Sequence, residues 1–304
     1  MSKTIRIGTR DSELALWQAK TVQQQLQSQG YDTLLVPVKS TGDLILDKPL
    51  YELGITGIFT KTLDVAMLKG EIDIAVHSMK DVPTRLPKGM VSAAVLKRAA
   101  FEDILVHKGD ISFMEGEGTI ATGSLRRKAQ WLHRHPSHTV TDLRGNVNTR
   151  LKKLEDHSWH GAIFARAGLE RIHLTPQNHL VLDWMVPAPA QGAMLVVTME
   201  NDAFSREALT TLEHNPSRMA THVERDFLRT LEGGCTAPIG AIATIENDRI
   251  HFKGALFSLD GSKTSYIEKT ISTDLYKDLG KQCAEKVLQQ GGDTIMKEIR
   301  KQLS

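Results

Sequence analysis

Basic side chains recur at four places along the chain, each just past an apolar run. They are Arg10 in Thr9-Arg10-Asp11-Ser12, Lys80 in His77-Ser78-Met79-Lys80-Asp81, Arg126 and Arg127 in Thr122-Gly123-Ser124-Leu125-Arg126-Arg127, and Arg144 in Arg144-Gly145-Asn146, with Arg150 close behind. A guanidinium fork bonds a carboxylate or phosphate at two points, so Arg10, Arg126, Arg127, Arg144 and Arg150 could together hold several acidic groups. Any one of them reads equally well as a solvated surface charge, and Ser124 or Asn146 as a helix cap or turn. Five at equivalent places point instead to a polycarboxylate or polyphosphate ligand. Asp81 is the carboxylate to place among these cations, although a Lys-Asp pair alone would be an ordinary surface turn.

Two cysteines are too few for a disulfide scaffold and lack the paired spacing of a zinc site. Cys283 shares a helical face with Leu279 and Val287 and reads as a packed core residue. Cys235 follows Gly233-Gly234 and precedes Thr236-Ala237-Pro238, on a connection past a helix end. That position suits either a plain loop residue or a reactive thiol. The glycine spacing matches neither a Walker phosphate loop nor a dinucleotide fingerprint.

The elements that must carry these residues alternate. A strand at 5–8 leads to a helix opened by Ser12 and stopped at Gly30; strands at 31–38, 72–76 and 90–96 follow, with a helix near 60–68. The pattern restarts after Arg98-Ala99-Ala100, with strands at 104–107, 119–121, 139–143 and 162–165. Such alternation predicts parallel sheets with helices on both faces, and ligands then bind at the carboxyl ends of the strands, where helix N-termini point. The apolar segment 194–199 could pair back into the first unit. From Pro216 the texture changes: a helix through Met219, Val223, Phe227 and Leu231 is followed by strands at 239–246 and 249–257 around an Asn247-Asp248 hairpin, a strand at 264–271 and a helix from about 274 to 290.

A length of 304 residues, with 40% hydrophobic and 24% charged residues, fits two or three separate cores. A net charge of +2 provides no global field for wrapping nucleic acid. The opening residues lack a signal-peptide pattern, and the apolar runs fall far short of the roughly 20 residues that cross a bilayer. A cytoplasmic protein without membrane or nucleic-acid partners is expected.

The segments 9–18, 77–83, 124–127, 143–150 and 231–235 resemble signatures of the porphobilinogen deaminase (hydroxymethylbilane synthase) family, in the family's order. The resemblance implies an α/β protein of three domains. Two resemble periplasmic binding proteins, doubly wound and flanking a cleft, at 1–97 with 193–212 and at 98–192. A small α+β domain at 213–304 carries the cofactor cysteine. It implies a dipyrromethane joined to Cys235 through a thioether and gripped by Lys80, Asp81, Ser124, Arg126, Arg127 and Arg144. Porphobilinogen and its carboxylates would be handled by Arg10, Ser12, Arg144, Arg150 and Arg171, with Asp81 as the catalytic carboxylate and no metal. Four porphobilinogen units would be deaminated and joined head to tail, releasing hydroxymethylbilane from a monomeric enzyme. Many bacterial relatives have lysines where Glu52 and Thr56 stand in the stretch 49–59, a candidate lid, so those cationic contacts are not carried over. The rival reading is a non-catalytic polycarboxylate-binding protein.

Overall fold

The structure, a computed structural model, describes residues 3–39, 60–231 and 237–303. Cys235 and the stretch 49–59, with Glu52 and Thr56, lie outside the described residues.

The first unit begins with β1 (Ile5–Arg10), α1 (Glu13–Ser28) and β2 (Thr33–Val38). Helix α1 forms because Ala15, Gln18, Ala19, Val22 and Leu26 recur on one buried face and Ser12 caps its first turn. Gly30, at φ +87°, ends it by letting Tyr31 N return to Leu26 O at 3.1 Å and Gly30 N to Gln27 O at 2.9 Å. Then come α2 (Lys61–Leu68), β3 (Ile74–Ser78), a 3-10 turn over Met79–Asp81, and β4 (Met90–Val95).

The second unit contains β5 (Asp103–His107), β6 (Thr119–Ala121), α3 (Leu125–Arg134), β7 (Thr139–Thr141), α4 (Val147–Asp156), β8 (Gly161–Ala165), α5 (Arg166–Glu170) and β9 (His179–Val181). The chain then returns through β10 (Met194–Met199) and α6 (Ala203–Leu209).

Strand order is β2-β1-β3-β10-β4 in the first sheet and β7-β6-β8-β5-β9 in the second. Neither sheet is wholly parallel, contrary to the expectation from alternation. β10 runs against β3 and β4, and β5 runs against β8 and β9. Each of these strands follows a segment that crosses from the other unit. Leu195 pairs with His77 near the end of β3, and Asp103 pairs with Ala165 at the end of β8, so both enter at the carboxyl edge of the parallel strands. The crossings therefore pass the edge where the helix N-termini gather.

The two crossings touch. Ala99 N donates to Gly192 O at 3.1 Å, and a Cβ on Gly192 would stand 2.5 Å from Ala100 O. Only glycine fits there.

The C-terminal unit packs α7 (Asn215–Thr230) and α8 (Leu279–Val287) on an antiparallel sheet of β11 (Ile239–Glu246), β12 (Arg249–Phe257) and β13 (Thr264–Ser272). Asn247 and Asp248, both at positive φ, make the hairpin turn. Val223, Phe227, Phe252, Leu279, Cys283 and Val287 fill the core, which agrees with the reading of Cys283. The chain kinks at Gly291, φ +103°, and resumes as α9 (Asp293–Leu303), a helix beyond the expected end near 290.

Glu224, wholly buried on α7, fastens both crossings to this unit. It accepts from Arg98 Nη1 and Nη2 at 2.5 and 3.1 Å, from Ala190 N at 2.6 Å and from Ala243 N at 2.7 Å. Among the described residues no helix is long and apolar enough to cross a membrane, and no group of three or more His, Cys, Asp or Glu could hold a metal.

Candidate functional site

Each cation read from the sequence sits at a strand's carboxyl end. Arg10 closes β1, Lys80 lies in the 3-10 turn after β3, Arg126 and Arg127 occupy the first turn of α3 after β6, and Arg144 and Arg150 flank the start of α4 after β7. The caps are local. Ser12 Oγ accepts from Ala15 N and Ser124 Oγ from Arg127 N, both at 3.4 Å, while Asn146 Oδ1 accepts from Thr149 N at 2.9 Å. These contacts orient three helix N-termini toward one edge.

Arg126 and Arg127 are buried rather than solvated, and both turn to Asp103. Arg126 Nη1 donates to Asp103 Oδ2 at 2.8 Å, and Arg127 Nε and Nη2 donate to Oδ1 at 2.9 and 2.7 Å. The backbone carbonyls of Val186 and Ile163 take further donors from Arg126 and Arg127. Burial pushes the Asp103 carboxyl up, but the two guanidinium charges and their hydrogen bonds outweigh that and hold it well below the usual carboxylate range. One carboxylate against two guanidiniums leaves the cluster net positive.

Gln191, with no exposed surface, joins this cluster to the 3-10 turn after β3 of the first unit. Its Nε2 donates to Phe101 O at 2.8 Å and Asp103 Oδ1 at 3.0 Å, and its Oε1 accepts from Lys80 Nζ at 3.2 Å. Burial, then repulsion from Arg127, brings the Lys80 ammonium down to about 8, although Asp81 and Asp103 pull the other way. Burial, with repulsion from Arg127, Arg144 and Arg10, likewise lowers Arg150 to about 10, while Asp81 opposes the change. Lys80 is thus within electrostatic reach of Asp81, Asp103, Arg126 and Arg127, and Arg150 of Asp81, Arg10, Arg127 and Arg144. Such a concentration of buried positive charge is relieved by binding anions.

Arg171 is placed differently. Its Nη2 donates to Gly192 O at 2.7 Å on the second crossing, and its guanidinium lies 5.6 Å from the centre of the Trp17 ring on α1. Burial lowers it to about 10. It bridges the units, whereas Asn148 Nδ2 donating to Glu13 Oε2 at 2.9 Å joins α4 to α1.

Asp103 escaped the sequence reading, and Gln191 stood in it only as part of the turn 189–193, a hinge, not as a site residue. A carboxylate heading the apolar strand Ile104-Leu105-Val106 was the available signal, because a buried acid requires a partner.

The family model "Porphobilinogen deaminase, dipyromethane cofactor binding domain" matches residues 5–207, and "Porphobilinogen deaminase, C-terminal domain" matches 219–289. The chain belongs to the porphobilinogen deaminase family. It is 39% identical to the porphobilinogen deaminase of Chloroherpeton thalassium over 99% of each chain. It is 40% identical to that of Pelotomaculum thermopropionicum, again over 99% of each, and 41% identical to that of Syntrophotalea carbinolica over 97% of this chain and 96% of that one. A solved structure of the methionine binding protein MetQ aligns with a TM-score of 0.46 and 16% identity over 69% of this chain and 89% of that one; the fold rests on the strand order above, not on that likeness.

The porphobilinogen deaminase match at 5–207 spans both five-stranded sheets and includes Arg10, Ser12, Lys80, Asp81, Ser124, Arg126, Arg127, Arg144, Arg150 and Arg171, as well as Asp103 and Gln191. Cys235 falls within the C-terminal match.

Proposed function

We propose that the chain is a transferase with hydroxymethylbilane synthase activity, which deaminates four porphobilinogen molecules and joins them head to tail on a dipyrromethane held by a thioether at Cys235. The convergence of cations from both units, Arg10 and Lys80 half-buried and Arg126, Arg127 and Arg144 buried, carries the reading, together with the family to which the chain belongs. Porphobilinogen bears an acetate and a propionate, so a growing chain gains two negative charges per ring.

The residues present fit such a group. Arg126 Nε is buried without a hydrogen-bond acceptor among the described residues, so a carboxylate there would complete it. Lys80, Asp81, Ser124, Arg126, Arg127 and Arg144 would hold the dipyrromethane, which when bound supplies the free pyrrole carbon to which the first substrate ring is joined. Arg10, Ser12, Arg144, Arg150 and Arg171 would bind the incoming substrate's carboxylates. Each hydrogen bond to a charged group contributes roughly 1.5–3 kcal/mol, so several retain a flexible oligomer while none is indispensable. Asp81, among cations, accepts hydrogen bonds from pyrrole N–H groups and offsets the positive charge that develops as ammonia departs.

We divide the chain into domains at 1–97 with 193–212, 98–192 and 213–304, a division supported by sheet membership and by the crossings at Arg98 and Gln191. We read the protein as a cytoplasmic monomer without a membrane partner, and the net charge of only +2 argues against a nucleic-acid partner. The test is incubation with porphobilinogen. Consumption with release of a linear tetrapyrrole supports the enzyme, whereas saturable binding without consumption supports a polycarboxylate-binding protein.

A further inference from the structure

We propose that Arg225, on the C-terminal unit, is a positioning residue that sets the place of the Asp81 carboxylate relative to the helix leading to Cys235. The proposal rests on the role given to Asp81 above. Arg225 Nη1 donates to Met79 O at 3.2 Å and to Val82 O at 2.9 Å, and its Nη2 donates to Pro83 O at 2.6 Å. Three backbone carbonyls around one short turn thus converge on a single guanidinium.

The turn needs such a donor. Pro83 has no N–H and biases Val82 away from helical geometry, and Val82 is extended at φ −89°, ψ 128°. The Met79–Asp81 turn therefore stops at once: Met79 O accepts from Val82 N at 3.2 Å, and the turn ends with a partial negative charge and with the carbonyls of Val82 and Pro83 turned to Arg225. A guanidinium answers both at once, as a planar fork whose two Nη atoms reach separate carbonyls; the ammonium of a lysine keeps the charge and three donors but gathers them on one atom without that fork. Burial and the neighbouring Arg229 lower Arg225 to about 10, so it stays charged at neutral pH.

Arg225 also has a fixed base. Its neighbour Glu224 is bonded to both crossings, and α7 ends at Thr230, five positions before Cys235. One helix therefore holds the turn carrying Asp81, binds the crossings and runs into the cysteine segment. Arg225 reaches Asp81 through the backbone and touches no reacting atom.

The test compares the wild-type chain with Arg225→Lys, alone and combined with Asp81→Glu, measuring kcat and KM for porphobilinogen, thermal midpoint and the mass of the covalent adduct. Misplacement of a reacting group by about 1 Å costs on the order of 100-fold. The expected result for Arg225→Lys is a kcat about 10- to 100-fold lower, with KM changed less than about threefold, the adduct retained and a cooperative unfolding transition near that of the wild type. In the Asp81→Glu background, where the carboxylate is already displaced, the cost should shrink to about threefold or less. Wild-type kcat in Arg225→Lys, equal losses in both backgrounds, or loss of the fold in Arg225→Lys would each overturn the positioning role. A wild-type chain that leaves porphobilinogen unconsumed would instead overturn the reading of the site on which the role depends.

Discussion

Asp103 receives two hydrogen bonds from Arg127, at 2.9 and 2.7 Å, at the point where the first crossing enters the second sheet. The same carboxylate accepts from Arg126 and Gln191, so one buried acid sets the orientation of two guanidiniums at the candidate cofactor site. Asp103→Asn should therefore destabilise the fold by about 3–5 kcal/mol, because it leaves buried cations without their counter-charge. Urea unfolding monitored by circular dichroism reads this directly. A change below about 1 kcal/mol would mean that the arginines find other compensation.

Glu224→Gln tests the fastening of the crossings. The amide can accept fewer of the four bonds that Glu224 receives and leaves Arg98 without its charge partner, so the loss should be on the order of 3 kcal/mol. Arg98 also donates to Gln191 O at 2.8 Å, so the substitution reaches the cation cluster only through the second crossing. An unchanged midpoint in denaturant would show that the crossings are held by other contacts.

The locations of the cations were legible because a strand, a turn and a helix start are read from neighbouring residues, and all were placed at one edge by the alternation alone. The partners that orient them were not. Arg126 and Arg127 meet Asp103 across 23 and 24 positions, Gln191 meets Asp103 across 88, and Lys80 meets Gln191 across 111. Strand polarity was lost for the same reason. The direction of β5 and β10 is set by the crossings, whose residues 98–100 read only as a boundary. The last helix was expected to end near 290, yet Gly291 makes a kink after which α9 continues the packing with Ile295, Met296 and Ile299. Glycine composition alone does not distinguish a kink from an end.

Acid should weaken the fold partly through His77. Burial, then the charge of Arg10, holds its imidazole down at about 4, against an unperturbed value near 6.5. Between those values the unfolded chain binds a proton that the folded chain refuses, so stability falls as pH drops from about 6.5 to 4 and this loss levels off below. The full window corresponds to about 3 kcal/mol. His77→Gln should flatten this part of the stability profile measured by denaturant titration at successive pH values, and an unchanged slope would assign the acid sensitivity to other groups.

Asp81→Ala should keep the fold and lose at least about 100-fold in turnover, the usual scale for removing a group that stabilises developing charge. The partly exposed site limits the stability change to within about 1 kcal/mol. Near-normal porphobilinogen consumption by this variant would remove Asp81 from the chemistry.

Cys235 is the proposed anchor of the pyrrole primer, and it contrasts with Cys283, whose thiol burial pushes up to about 11 and leaves a poor nucleophile. Intact-mass spectrometry of the purified chain, followed by peptide mapping, tests the claim most directly. One dipyrromethane per chain is expected, on the peptide containing Cys235, and none in Cys235→Ala. An unmodified Cys235 in a chain that turns over porphobilinogen, or an adduct on Cys283, would contradict it.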